Sequence, residues 1–191
     1  GSISERHAAI TAAAARRKET CASHATATQQ TACRNEADEI IRVCLITEEV
    51  ASAGRSGGIG AAYLELLQVL SNCKDIATTL LYANPWEGAK EEVARNLELL
   101  SKQYSAQVTV LDPGLYVNPP FTPEKLSYAV LQWMLSSRSE LPETGWDFVH
   151  FHDYKGLGYY PALFNRQRPG LLAKHIVVQA HGPSSCLLYT S

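Results

Sequence analysis

Five short apolar runs, separated by stretches whose apolar residues recur at helical spacing, constrain this chain more than any other feature. The runs are Ile41 to Ile46, Ile76 to Tyr82, Gln107 to Leu111, Asp147 to Phe151 and Ile176 to Ala180. Between the first two, Tyr63, Leu66, Leu67 and Leu70 fall at i, i+3, i+4 and i+7, one face of a helix starting near Ala61. Asn84-Pro85-Trp86-Glu87 supplies an N-cap and a proline at the first helical position. The helix it opens carries Ala89, Val93, Leu97, Leu100 and Tyr104 as its buried stripe. Thr122-Pro123-Glu124 opens another, with Leu126, Ala129, Val130, Trp133 and Met134 on its apolar face, and Tyr159 to Asn165 reads as a short one. Repeated β-α units with near-continuous apolar strands predict a Rossmann-like α/β fold: a parallel sheet with helices on both faces.

Composition narrows the function classes. The net charge of -2 makes no electrostatic case for nucleic acid or a membrane surface. No apolar run approaches the roughly 20 residues of a membrane-spanning helix. Five cysteines without a CxxC pair suggest neither a zinc knuckle nor a disulfide framework, and so a reducing compartment. Residues 1–37 are rich in Ala, Thr, Ser and Gln, with few large apolar side chains, and read as a disordered or weakly helical low-complexity linker. The domain spans residues 38–185. Cys186 to Ser191 reads like a translated sequencing-adapter tail, so the natural chain is expected to continue past about Ser185. The chain opens on Gly1, and its natural start is expected upstream.

In such sheets ligands bind beyond the carboxyl ends of the strands. Three segments fall there. Arg55-Ser56-Gly57-Gly58-Ile59-Gly60 follows the first strand and opens a helix, where glycines allow close backbone approach and first-turn N–H groups favour an anion. With Arg55 beside them, they read as a seat for a nucleotide's diphosphate. A dinucleotide fingerprint is a poor match, since Tyr63 stands where a third small residue belongs, and no Gly-Lys-Ser/Thr completes a P-loop. A glycine loop that merely turns the chain is the plain alternative.

His150 and His152 share one side of the fourth strand, and Asp153 stands at its tip with Lys155 and Gly156 following. A metal site needs further ligands that the earlier strands do not offer, so one buried histidine satisfied by backbone, one histidine at the strand tip and a polar substrate contact at Asp153 are the simpler reading. His181-Gly182 ends the fifth strand and can reach into the same cleft. Cys44 and Cys73 suggest ordinary burial rather than a nucleophile.

Together these segments resemble the N-terminal domain of a GT-B glycosyltransferase of the glycogen/starch synthase and glycosyltransferase family 4 group. Thr47 through Gly60 is similar to the synthase pattern TSE…K-T/V-GGLG. Asp147 to Asp153 with Gly156-Leu157 and Pro161-Ala162-Leu163 resembles D-x-V-H-x-H-D…G-L…P-A-L. Val177 to Pro183 resembles the strand ending in HG. The resemblance covers roughly Arg42 to Ser184 and implies retaining transfer of a sugar from a nucleotide sugar to a glycan or other hydroxyl acceptor, with no cofactor and no metal.

The resemblance also implies residue roles. Gly57 and Gly58 would contact the donor diphosphate, Arg55 would take the family's lysine position, Asp153 would contact the acceptor or orient the site, and His181 would touch the donor sugar. Glu49 matches the family's glutamate, without an assigned role. Ala61 replaces an aspartate common after GGLG in the synthases. The nucleobase pocket belongs to a second, C-terminal domain that this chain lacks, so the fragment alone is expected to be inactive. The implied compartment is the cytoplasm or a plastid stroma. Two other readings stand beside it: a non-catalytic α/β binding domain, and a metal-dependent hydrolase fragment using His150 and His152.

Overall fold

The structure, a computed structural model, describes residues 40–54, 57–88, 90–141 and 145–180. The expected linker, the adapter-like tail, Arg55 and His181 lie outside the described residues.

Seven buried or half-buried residues, Ile41–Thr47, form strand β1. Helix α1 (Gly58–Ser71) returns the chain to β2 (Ile76–Tyr82). A single turn, α2 (Pro85–Gly88), precedes α3 (Glu91–Tyr104), which leads to the short β3 (Gln107–Val110). Helix α4 (Pro123–Ser136) then crosses to β4 (Trp146–His152), and α5 (Tyr159–Gln167) leads to β5 (Ala173–Gln179). The sheet order is β3-β2-β1-β4-β5, and every pairing is parallel. This is a Rossmann-like α/β fold.

Period-2 alternation divides the strand residues between two apolar layers. Val43, Leu45, Leu80 and Tyr82 pack with Tyr63, Leu67 and Leu70 of α1 and with Val93, Leu97 and Leu100 of α3. Cys44, Ile46, Leu81, Val149 and Phe151 pack on the other face with Leu126, Ala129, Val130, Trp133 and Met134 of α4. Each such large side chain, fully buried, contributes about 1.5–3 kcal/mol, so the two layers together fix the register of β1 between β2 and β4.

Local signals set the helix boundaries. Thr122 accepts a hydrogen bond from the Lys125 N–H and Asn84 Oδ1 accepts from the N–H groups of Trp86 and Glu87, so both expected caps form. The helix expected to run from Pro85 to Tyr104 is instead two. Lys90 takes an extended backbone, and its N–H closes a turn on the Glu87 carbonyl. Gly88 is a poor helix former, and a restart at Glu91 places two glutamates in the first turn of α3, where the helix dipole favours them. Helix α1 begins at Gly58, three residues before Ala61, and Leu66 is only partly buried. Strand β5 is an edge: Val177 and Val178 are exposed despite their apolar character.

Candidate functional site

The strand order reverses direction between β1 and β4, and such a switch point opens a crevice beyond the carboxyl ends of those two strands. The loop after β1 leads to the N-terminus of α1, and the loop after β4 begins at Asp153. Gly57 is the N-cap of α1; it offers no side chain to the first turn, which contains no acidic residue. The first-turn N–H groups have no intrahelical acceptors and present partial positive charge. Gly57 and Gly58 are both exposed, and a Cβ built on Gly58 meets nothing within 4 Å.

The Gly57 N–H is already used. It donates to Glu49 Oε2 at 2.8 Å, so a carboxylate from the end of β1 sits where an anion would sit. Glu49 itself is positioned by Thr47, whose hydroxyl donates to the Glu49 carbonyl and accepts from the Glu49 N–H.

Next to it, Glu48 is buried at 2 % exposure. Its Oε1 faces Lys155 Nζ at 3.3 Å, while its Oε2 is buried with no hydrogen-bond partner among the described residues. Burial raises the pKa of this carboxyl, opposed by the Lys155 charge. The Lys155 ammonium also lies 5.9 Å from the Trp86 ring centre and 5.2 Å from that of Tyr154. Its backbone is left-handed, with φ 55°, and Gly156 follows at φ 66°. Such a conformation costs a non-glycine residue about 1–2 kcal/mol, and the Glu48 ion pair and the two rings offset it. The Asn84 side chain donates to the Glu48 carbonyl, tying the tip of β2 to that of β1.

A continuous set of contacts therefore joins the glycine loop to the tip of β4. Gly57 binds Glu49, and the adjacent Glu48 binds Lys155 through its side chain and the His152 ring through its N–H at 3.5 Å. Asp153 closes β4: its N–H donates to the Gln179 carbonyl and its carbonyl accepts from Gly156.

His150 and His152 do share one side of β4, both edge-on to Tyr63, with ring centres 5.4 and 5.9 Å away. His150 Nδ1 pairs with the Tyr63 hydroxyl at 3.0 Å. Both histidines are buried, so His152 is packed rather than standing free at the tip. Among the described residues no group of three His, Cys, Asp or Glu converges as metal ligands. Burial pushes the Cys44 thiol far above its ordinary range and keeps it neutral, which removes it as a nucleophile. Tyr82, beside Glu87 and Glu49, is pushed up to about 12, chiefly by burial.

Of the expected site residues, Gly57, Gly58 and Asp153 come to one end of the sheet. Glu48 and Trp86 were not expected there. The signal for Glu48 was a charged residue directly after an apolar strand, at its carboxyl end. Trp86 reads in sequence only as part of a helix start.

Among the described residues no helix is long and apolar enough to cross a membrane. Comparison of the chain with protein-family models, with curated proteins and with solved structures finds no match.

Proposed function

We propose that this chain is the acceptor-side, N-terminal domain of a retaining GT-B glycosyltransferase, one that moves a sugar from a nucleotide sugar to an acceptor hydroxyl. The observation that carries this reading is that the glycine-led N-terminus of α1 follows β1 and Asp153 follows β4, the two strands that flank the switch point of the sheet. Phosphate at a helix N-terminus, beyond the carboxyl ends of parallel strands, is a recurrent solution of α/β sheets.

In this reading the backbone N–H groups of Gly57 and Gly58 hold the donor's diphosphate and Arg55 adds a cation. Charge-assisted hydrogen bonds contribute about 1.5–3 kcal/mol each, against about 0.3–1 kcal/mol for the dipole of α1, so the directed N–H groups dominate. The same donors stabilise the negative charge that develops on the leaving diphosphate. Asp153 receives the acceptor side of the reaction. His181 contacts the donor sugar; its role, like that of Arg55, rests on the resemblance in sequence alone. Glu49 acts as an internal stand-in for a phosphate oxygen on Gly57, and donor binding displaces it. The nucleobase pocket belongs to a second domain.

The test is an assay of nucleoside diphosphate release from uridine- and adenosine-diphosphate sugars with an oligosaccharide acceptor. Residues 1–191 alone are expected to be silent. A longer chain read from the same locus is expected to turn over with retention of anomeric configuration. Turnover by residues 1–191 alone, or a longer chain that is inert with every donor, contradicts the proposal.

A further inference from the structure

Lys155 has no part in the roles assigned to Gly57, Gly58 and Asp153, yet the fold keeps it at a double cost. Its backbone is left-handed at φ 55°, although Gly156, which enters that region freely, stands only one position later. Its partner Glu48 is a desolvated carboxylate whose Oε2 has no hydrogen bond. A buried ion pair is weak evidence of stability, since apolar residues of like volume often serve as well. Backbone strain of this kind clusters where a side chain acts on a ligand.

The pair is also loose. Glu48 Oε1 stands 3.3 Å from Lys155 Nζ, whereas Lys90–Glu87, Lys102–Glu98 and Lys174–Asp147 close to 2.6, 2.7 and 2.6 Å. An ammonium carries three donors, and among the described residues Glu48 Oε1 is the one acceptor on this one. The Lys155 side chain is 37 % exposed against 3 % for Glu48, so the cation is the accessible member of the pair. Trp86 from the tip of β2 and Tyr154 from the tip of β4 are both exposed, and both rings lie against the ammonium. Their faces hold a cation without consuming its donors.

A compact ammonium with rotatable donors suits the tetrahedral oxygens of a phosphate. We propose that Lys155 is a phosphate ligand of the crevice, its ammonium turning from Glu48 to a phosphate group of a substrate. The proposal rests on the reading of this crevice as a substrate site. That phosphate belongs either to the donor's diphosphate or to a phosphorylated acceptor sugar. Glu48, Glu49 and Asp153 make this end of the crevice acidic, which holds the expected affinity to the millimolar range.

The test is a titration of the full chain, labelled with nitrogen-15, with inorganic phosphate, glucose 6-phosphate, uridine diphosphate and glucose. The signals followed are the Lys155 amide and the Trp86 indole N–H, the latter assigned by its loss in Trp86→Phe. Inorganic phosphate is expected to shift both saturably, and glucose neither. Lys155→Met is expected to weaken phosphate binding at least about tenfold, while Lys155→Arg retains it. Glu48→Gln removes the competing carboxylate and is expected to tighten it about three- to tenfold; a purely structural pair would give no tightening. Should Lys155→Met fail to fold, the Lys155→Met/Glu48→Gln double variant, free of an unpaired buried carboxylate, carries the same expectation of lost binding. Tighter binding of glucose 6-phosphate than of inorganic phosphate supports the site and puts the phosphate on the acceptor. Tighter binding of uridine diphosphate, with shifts at Gly57 and Gly58, supports it and puts the phosphate on the donor. A Lys155 response with Gly57 and Gly58 silent toward uridine diphosphate supports the site and contradicts the glycosyl-transfer reading alone. The proposal is overturned if phosphate moves neither signal, if removal of Lys155 leaves the binding unchanged, or if Glu48→Gln fails to tighten it.

Discussion

Glu49 Oε2 accepts a hydrogen bond from the Gly57 N–H at 2.8 Å, so the helix terminus best placed to hold a phosphate is capped by the chain's own carboxylate. Gly57 has no side chain to cap α1, and Glu49 supplies from eight residues away what an N-cap side chain ordinarily supplies. Glu49→Gln keeps the shape and removes the charge. It is expected to lower stability by about 0.5–1 kcal/mol and to tighten inorganic phosphate or diphosphate binding severalfold, because the competing anion is gone. Urea unfolding and a phosphate titration check the two effects, and an unchanged phosphate affinity would remove Glu49 as a competitor.

Glu48 and Lys155 predict a pH dependence with a definite sign. Burial raises the folded-state pKa of Glu48 above its unfolded value, so the folded state holds this proton more tightly. The stability contributed by that proton is complete below the ordinary glutamate range and is lost as pH rises through the raised value. Glu48→Gln cannot titrate. The stability difference, mutant minus wild type, is therefore expected to grow in the mutant's favour as pH rises across that window. Parallel denaturation curves from acid to neutral pH measure it, and a flat difference contradicts the assignment.

Lys155→Met leaves Glu48 buried without its cation. Breaking a fully buried pair costs about 3–5 kcal/mol. Lys155 is partly solvated, which brings the expectation down to about 1–2 kcal/mol at neutral pH. Double substitution with Glu48→Gln is expected to recover most of it, and a double-mutant cycle gives the coupling directly.

Three glycines separate backbone strain from steric exclusion. Gly145 has φ 64°, and a Cβ there would stand 2.6 Å from the Leu172 carbonyl oxygen. At Gly158 a Cβ would stand 2.9 Å from the Phe151 ring. Gly156 has φ 66° but open space around it. Gly156→Ala is expected to cost about 1–2 kcal/mol, Gly158→Ala at least as much through displacement of the Phe151 ring, and Gly145→Ala the most of the three. Thermal midpoints rank them.

The two strand histidines are engaged by groups of the fold: His150 by the Tyr63 hydroxyl and His152 by the Glu48 N–H. Purified protein is therefore expected to carry no stoichiometric zinc or iron, and chelator treatment to leave its unfolding midpoint unchanged. Stoichiometric metal in elemental analysis would revive the hydrolase reading.

Much of this was legible in the residues. Alternating apolar runs specify a parallel sheet because both faces of each central strand must be buried, and Leu45 and Ile46 go to opposite layers as period 2 requires. Caps at Asn84 and Thr122 were legible because each needs only its own side chain and the next turn. The break at Lys90 was not, since helical spacing continues across it and only the Glu87 turn ends the first piece. The exposure of Val177 and Val178 was also hidden, because an edge strand and a central one carry the same apolar residues. In the site, the positions of Gly57, Gly58 and Asp153 followed from their place just after the carboxyl ends of parallel strands. The occupation of the Gly57 N–H by Glu49 and the Glu48–Lys155 pair depend on side-chain paths across residues 8 and 107 apart in sequence, which local pattern does not encode.

The most direct test of the glycosyl-transfer reading is a backbone-amide titration of this chain with uridine diphosphate and adenosine diphosphate. Weak binding is expected, in the millimolar range, with shifts confined to Gly57, Gly58, Ile59, Gly60 and Asp153 and lost in Gly58→Ala, whose added methyl group meets only open space in the unliganded fold. Absence of any shift at those amides, or shifts there that survive Gly58→Ala unchanged, would contradict a diphosphate seat at the head of α1.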